Sequence, residues 1–210
     1  MNAWEEEILI SLAWHVRVLS VEQLARTWWS GLATGTRLAN NFVKARSATD
    51  WLHVRHVLSR KPTPLAEPLQ TWHPDAPVPD FAELSRLLHR RARTPARKFR
   101  VVTASRKCRE LFGMVGAAHR PKLTQLSHEL FVSEVFIRYL QNGFNVFSGE
   151  WVSEDRFPSS WPIRVRPDGL IKDAEGNIVR AIEYGGAYGV RRLRGLYGAL
   201  KGISLPCEVW

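Results

Sequence analysis

Two strand-like segments separated by a short polar turn constrain this chain more than any other feature. Arg166-Pro-Asp168-Gly-Leu-Ile runs into Lys172-Asp-Ala-Glu-Gly-Asn177, a cluster of turn formers, and the chain resumes its apolar character through Ala181-Ile-Glu183-Tyr-Gly. The pattern predicts an antiparallel hairpin, anchored in a sheet by Leu170, Ile171, Val179 and Ile182. Pairing about the turn brings Asp168 beside Glu183. Carboxylates among apolar neighbours lose hydration, and Mg²⁺, a hard cation that takes oxygen ligands, compensates that loss. Asp168 and Glu183 are therefore the candidate metal ligands. An ion pair with Arg166 or Arg180 is the alternative use of the same two acids.

The 210 residues suffice for two small domains with separate cores. Thirty Lys and Arg against twenty Asp and Glu leave a formal charge of +10, so a polyanion is the expected partner, nucleic acid ahead of membrane. No run of 18 apolar residues exists, and Met1-Asn-Ala-Trp-Glu-Glu-Glu7 is acidic where a signal peptide is basic. The expected location is the cytoplasm. Cys108 and Cys207 stand far apart, without the spacing of a zinc site or a disulfide framework, and read as buried thiols.

Three helical patterns fill the first fifty residues. Ile8, Leu9, Leu12, Ala13 and Val16 share one face. Ser20-Val-Glu-Gln23 is a capping box that starts a second helix, continued by Leu24 and Trp28. A third helix, from about Thr36 to Ala48, is expected to turn Leu38, Phe42 and Ala45 inward and Arg37, Asn40, Asn41 and Lys44 outward. Arg forks onto guanine, Asn onto adenine and Lys onto phosphate, so the outer face suits DNA. Beyond it, Trp51 to Leu58 reads as a strand, Arg60-Lys61-Pro62 as a basic tip and Leu65 to Trp72 as a return strand, with Pro68 restricting that strand to an edge. Together these predict a winged helix-turn-helix over residues 1–75. A helical bundle with a solvated polar face is the alternative.

His73-Pro-Asp-Ala-Pro-Val-Pro-Asp80 reads as an extended connection. Asp80 caps a helix carrying Phe81, Leu84, Leu87 and Leu88 inside, and Arg86, Arg90 and Arg91 open a basic run that continues through Arg97, Lys98 and Arg100. This segment, 76–122, is expected to connect two domains while its arginines dock phosphate. Nine tryptophans read mostly as core, although an exposed one beside arginines would stack on an unpaired base. No Gly-rich phosphate loop is present.

From Ser127 to Asn142 the spacing predicts a helix on whose apolar stripe Glu134 intrudes, either to pair with Arg138 or to face a metal. Phe144 to Phe147 reads as a strand. After the hairpin, Val190 to Leu200 forms a helix carrying Arg191, Arg192, Arg194 and Lys201 outside, and Leu205 to Trp210 a last strand. The resulting order of helix, three strands, helix and strand, with Pro167-Asp168 and Glu183-Tyr184-Gly185, is similar to the core of the PD-(D/E)xK nuclease-like superfamily. That resemblance covers about residues 123–210. With the amino-terminal reading, the whole resembles the replication-relaxation family of plasmid and mobile-element proteins, an α+β arrangement of a winged helix followed by an α/β nuclease-like domain.

The resemblance implies that Asp168 and Glu183 ligate Mg²⁺, that Glu134 on the first helix helps hold it, and that a lysine two residues after the second acid orients water. Gly185 stands in that place. Lys172, Arg191 and Arg192 are the candidate substitutes. The expected function is DNA binding, with Arg37, Asn40, Asn41 and Lys44 in the major groove, Arg60 and Lys61 on flanking phosphate, and Arg90, Arg91, Arg191 and Arg192 as further basic surface. Mg²⁺-dependent DNA cleavage by Asp168, Glu183, Glu134 and Lys172 is the alternative. A role as an interaction subunit, bound to a protein partner in a larger nucleoprotein complex, is a third.

Overall fold

The computed structural model of the protein describes residues 1–114, 121–148 and 150–210. In chain order its elements are α1 (Ala3–Ile10), which runs into a π-helical turn (Ser11–His15), β1 (Leu19–Ser20), α2 (Val21–Trp28), α3 (Gly35–Ala48) and β2 (Leu52–Arg60). There follow β3 (Gln70–Trp72), α4 (Phe81–Arg91), β4 (Ala96–Ala104), α5 (Arg106–Leu111) and α6 (Leu123–Gln141). The chain ends with β5 (Trp151–Ser153), β6 (Gly169–Lys172), β7 (Ile178–Glu183), α7 (Val190–Lys201) and β8 (Cys207–Val209). The architecture is mixed α+β, in two units that the chain visits alternately: Met1–Pro64 with Pro95–Phe147, and Leu65–Thr94 with Ser148–Trp210.

Local chemistry starts the helices of the first unit. Asn2 accepts from the Glu5 N–H at 2.9 Å while the Glu5 carboxylate accepts from the Asn2 N–H at 3.2 Å, and Ser20 and Gln23 exchange the same pair of bonds at 3.1 and 2.7 Å. Each box satisfies amide groups that the first turn leaves open. The sheet of this unit has the order β1-β4-β2, both pairings antiparallel, with β4 in the middle. Nine consecutive pairs join β2 to β4, from Leu52↔Ala104 to Arg60↔Ala96. On the sheet, Val18, Val57, Phe99 and Val101 pack with Leu126 and Leu130 of α6.

The second unit has a five-stranded sheet of order β3-β8-β7-β6-β5, antiparallel except for β7 and β8. Helix α7 makes the crossover that a parallel pair requires. Leu84 and Leu88 of α4, Leu193, Leu196 and Leu200 of α7, and Leu170, Ala181, Cys207 and Val209 of the sheet share one core.

Several sequence expectations are corrected here. Residues 65–72 do not return against β2; β3 pairs with β8, as an edge strand of the other sheet. The partner of β2 is β4, so 76–122 is no connector: it supplies α4 to the second unit and the central strand to the first, while 115–120 lie outside the described residues. The division 1–75, 76–122 and 123–210 gives way to an interleaved one. Residues 144–147 form turns, since the Asn145 side chain accepts from the Phe147 N–H at 2.8 Å and closes the backbone on itself.

Helix α6, expected to lead the nuclease-like segment, belongs to the first unit. Ser133 Oγ donates to the Val18 carbonyl at 2.6 Å, Gln23 Nε2 donates to the Leu130 carbonyl at 3.0 Å, and Arg17 pairs with Glu129 at 2.6 Å. Glu134, only 2% exposed, accepts from Gln23 Nε2 at 2.7 Å, and both of its carboxylate oxygens accept from Arg26 Nη2. Its cation is thus Arg26 rather than Arg138.

Burial raises the Glu134 pKa above the ordinary value, and Arg26 and Gln23 offset only part of that rise. The folded protein therefore holds this proton more tightly than the unfolded chain, so the stability linked to it is fully present below the unfolded pKa and is lost as pH rises through the folded one. Removing Arg26 alone strands a buried charge. Arg26→Met is expected to cost about 3 kcal/mol at pH 7, with the loss shrinking toward pH 4. The double change Arg26→Met with Glu134→Met recovers most of it, because Gln23 keeps its bond to Leu130. Urea denaturation at both pH values measures this.

Candidate nucleic-acid surface and acidic pair

On α3 the buried residues are Gly35, Ala39, Phe42 and Val43. The inner stripe is therefore rotated from the expected one, Ala45 being exposed and Leu38 half-buried. Arg37, Asn41 and Lys44 are exposed at i, i+4 and i+7, one above another on a single face. They span about 10 Å at about 1.5 Å per residue. Asn40 does not join them, because its side-chain oxygen accepts from the Arg100 guanidinium of β4.

The expected basic tip is also redistributed. Arg60 Nε donates to Ser127 Oγ at 2.9 Å and its guanidinium lies 5.5 Å over the Phe131 ring, so Arg60 is docked on α6. Lys61 is half-buried. Exposed charge lies instead on β4, where Arg97 and Lys98 stand opposite Ser59 and Leu58. The sequence carried these two in a basic run, but nothing local marked them as half of a hairpin.

In the second unit, the Gly169↔Ile182 register sets Asp168 opposite Glu183. Trp151, fully buried, packs its indole where a Cβ at position 169 would sit, 2.9 Å from the ring edge, so glycine is what allows the strand after Asp168 to lie against it. The Asp168 carboxylate accepts from the Tyr184 N–H at 2.7 Å. Glu183 is 3% exposed and accepts from the Tyr188 hydroxyl at 2.6 Å. Arg192 donates to that hydroxyl at 2.5 Å, lies 3.8 Å over the Tyr188 ring and comes within 3.9 Å of Glu183. Arg91 of α4 lies 4.6 Å over the Tyr184 ring.

Electrostatics follow from this packing. Burial, then the charges of Glu183 and Asp168, push the Tyr188 phenol far up, so it stays protonated and donates. The Cys207 thiol is raised by burial and by Glu183, Glu208 and Asp168, and burial takes Cys108 to about 11. Both cysteines are buried thiols with little thiolate character.

Of the residues expected around the acids, only some converge. Lys172 stands four residues along β6 from Asp168, about 13 Å at about 3.3 Å per residue, beyond a bulge. Arg90 and Arg191 are exposed on α4 and α7. Glu134 is engaged in the first unit. Arg180 pairs with Glu208, Arg166 is exposed, and Arg192 lies beside Glu183.

Among the described residues no group of three or more His, Cys, Asp or Glu has the arrangement of a metal site. Asp168 and Glu183 alone are still compatible with Mg²⁺, which keeps several waters and uses one or two carboxylates. The place of the motif lysine is closed: a Cβ at Gly185 meets Leu88 Cδ2 at 2.6 Å and Cδ1 at 2.7 Å.

No family model, curated protein or solved structure matches the chain. Among the described residues no helix is long and apolar enough to cross a membrane.

The close approach at Gly185 makes a stability prediction. Gly185→Ala is expected to cost about 1–3 kcal/mol by overpacking. In a Leu88→Ala background the same change costs less, because the removed methyls free the space. A double-mutant cycle by chemical denaturation measures the coupling.

Proposed function

We propose that the first unit is a winged helix that binds double-stranded DNA, and that the second is a nuclease-like domain without the usual lysine. The observation that carries the DNA reading is the single exposed face of Arg37, Asn41 and Lys44 on α3. Helix, strand, two helices and two long strands, in a sheet with the last strand central, support a winged helix, with α3 as the reading helix. The wing is the β2–β4 hairpin, and Arg97 and Lys98 on it are suited to flanking phosphate. Asn40 is a supporting residue in this reading, holding Arg100 through its side-chain oxygen.

Lys44→Ala and Arg37→Ala are each expected to weaken binding and to lower the slope of log K against log salt by about 1 for every phosphate that is no longer neutralised. Asn41→Ala changes sequence preference more than overall affinity. Fluorescence anisotropy with random and selected duplexes at several salt concentrations measures both. Unchanged affinity in the Arg37→Ala, Lys44→Ala double variant overturns the assignment.

A second reading, Mg²⁺-dependent DNA cleavage, is favoured by the cross-strand placement of Asp168 and Glu183. After the edge strand β3, the element order of the second unit, α4, β5, β6, β7, α7, β8, supports the nuclease-like fold with α4 in the role first expected of α6. Asp168 and Glu183 would hold Mg²⁺, which lowers the pKa of bound water and neutralises phosphate charge. In that reading Arg192 supplies the nearby positive charge, and Arg91 steadies Tyr184 beside Asp168. This pairing of domains is also what the replication-relaxation resemblance implies. Supercoiled plasmid incubated with Mg²⁺ or Mn²⁺ tests it: nicking that disappears in Asp168→Asn and in Glu183→Gln is the expected outcome. An inert wild-type protein that still shifts DNA leaves the second unit a binding scaffold.

A further inference from the structure

One surface of the first unit does not fit a basic, DNA-gripping protein. Between α1, the end of α2 and the end of α6 lies a cleft of about 290 Å³, lined by Trp4, Glu7, Thr27, Trp28, Ser30, Leu140 and Gln141, with no basic side chain among these described residues. In a chain of net charge +10 this is an acidic, aromatic recess. Trp4 is 50% exposed, a costly placement for the largest side chain unless something covers it. The exposed tryptophan thus stands among acids, contrary to the expectation of arginine neighbours and base stacking.

The wall chemistry selects the occupant. Glu7 is half-buried, and burial raises its pKa although the nearby Trp28 indole partly offsets this. Its charge is therefore incompletely compensated. The neighbouring Glu5 is already paired with Arg46 at 2.8 Å. Trp28 is buried; its indole N–H faces Glu7 without completing a hydrogen bond, and the Thr27 hydroxyl lacks a hydrogen-bond partner among the described residues. Phosphate would meet a carboxylate and no cation here. A planar or alkylated cation instead finds two indoles, a carboxylate, and an oxygen acceptor on Gln141, the combination that recognises guanidinium and ammonium groups.

We infer that this cleft binds an organic cation, a guanidinium or alkylammonium group, with Glu7 as counter-ion and Trp4 as stacking platform. The group comes either from an arginine or lysine side chain or from a free amine. Gln141 fixes its orientation, and Leu140 packs against its carbon chain.

Indole N–H resonances of the ¹⁵N-labelled full chain report occupancy, with Trp4→Phe and Trp28→Phe identifying the two relevant signals. Agmatine serves as the free amine, acetyl-Gly-Arg-Gly-amide as the peptide-borne side chain, and 3-methylbutan-1-ol as the uncharged control. Saturable shifts of those two signals by a cation, weakened about ten-fold in Glu7→Gln and in Trp4→Ala, are expected. Tighter binding of the peptide assigns the cation to a protein, and tighter binding of agmatine assigns it to a free amine; both support the site. Absence of saturable shifts, equal affinity for the alcohol, or undiminished binding in both variants with unchanged thermal unfolding overturns it. Trp4 is exposed enough that Trp4→Ala decides the matter even where Glu7→Gln perturbs folding.

Discussion

The ladder between β2 and β4 is the constraint on which the rest of the structure depends. Nine cross-strand pairs fix residues 52–60 against 96–104, yet 35 residues separate the two strands along the chain. So long an excursion is not a turn. It carries β3, which closes one edge of the second sheet, and α4, whose Leu88 fills the space above Gly185. The connection between the paired strands of one unit is thereby also the source of a helix and an edge strand of the other. A deletion within 61–95 would remove structure from the second unit while leaving the strands of the first paired, a coupling that a sequential two-domain chain would not have.

That interleaving explains which features were legible in the sequence. Short-range chemistry read correctly: the Ser20–Gln23 box, the Asp80 cap whose oxygen accepts from the Ala82 and Glu83 N–H groups, the hairpin about residues 172–178, and the inward face of Leu193, Leu196, Tyr197 and Leu200 on α7. Each is set by residues a few positions apart. Pairing over distance was not legible. Residues 65–72 resemble a return strand, but β-pairing depends on which partner buries the apolar face, and Trp72 finds Phe81 and Tyr197 at ring distances of 6.2 and 5.5 Å in the other unit. Likewise α6 has an apolar face that suits any core. Ser133, Gln23 and Glu134 are the polar contacts that tie it to α2 and to the turn before β1, and their matching has no signature in local spacing.

Candidate site residues divided along the same line. Asp168 and Glu183 stand side by side as expected because a single hairpin fixes their relation. Arg37, Asn41 and Lys44 share one helical face, while Asn40, one residue away, turns to Arg100 on a strand 60 positions on. Tyr188 and Arg192 were harder to place. Arg192 was one of several basic residues on α7, and its approach to Glu183 depends on the Gly185–Gly186 bend, where Gly186 takes a positive φ of 51°. Tyr188, the group that holds Glu183, had no motif to announce it.

At the acidic pair, the space at position 185 and the nearby cation are set by different elements. Glu183 accepts from the Tyr188 phenol and lies near the Arg192 guanidinium, whose side chain is 66% exposed, so solvent screens much of that charge. Asp168 accepts from the Tyr184 backbone amide, which ties it to the strand that carries Glu183. Replacing Gly185 with lysine would not restore the motif, because Leu88 belongs to the core that positions α4. The proposed metal-holding chemistry and the space for a water-orienting lysine are therefore separable in this fold, and Arg192, on the helix after the strand, brings positive charge to within 3.9 Å of Glu183.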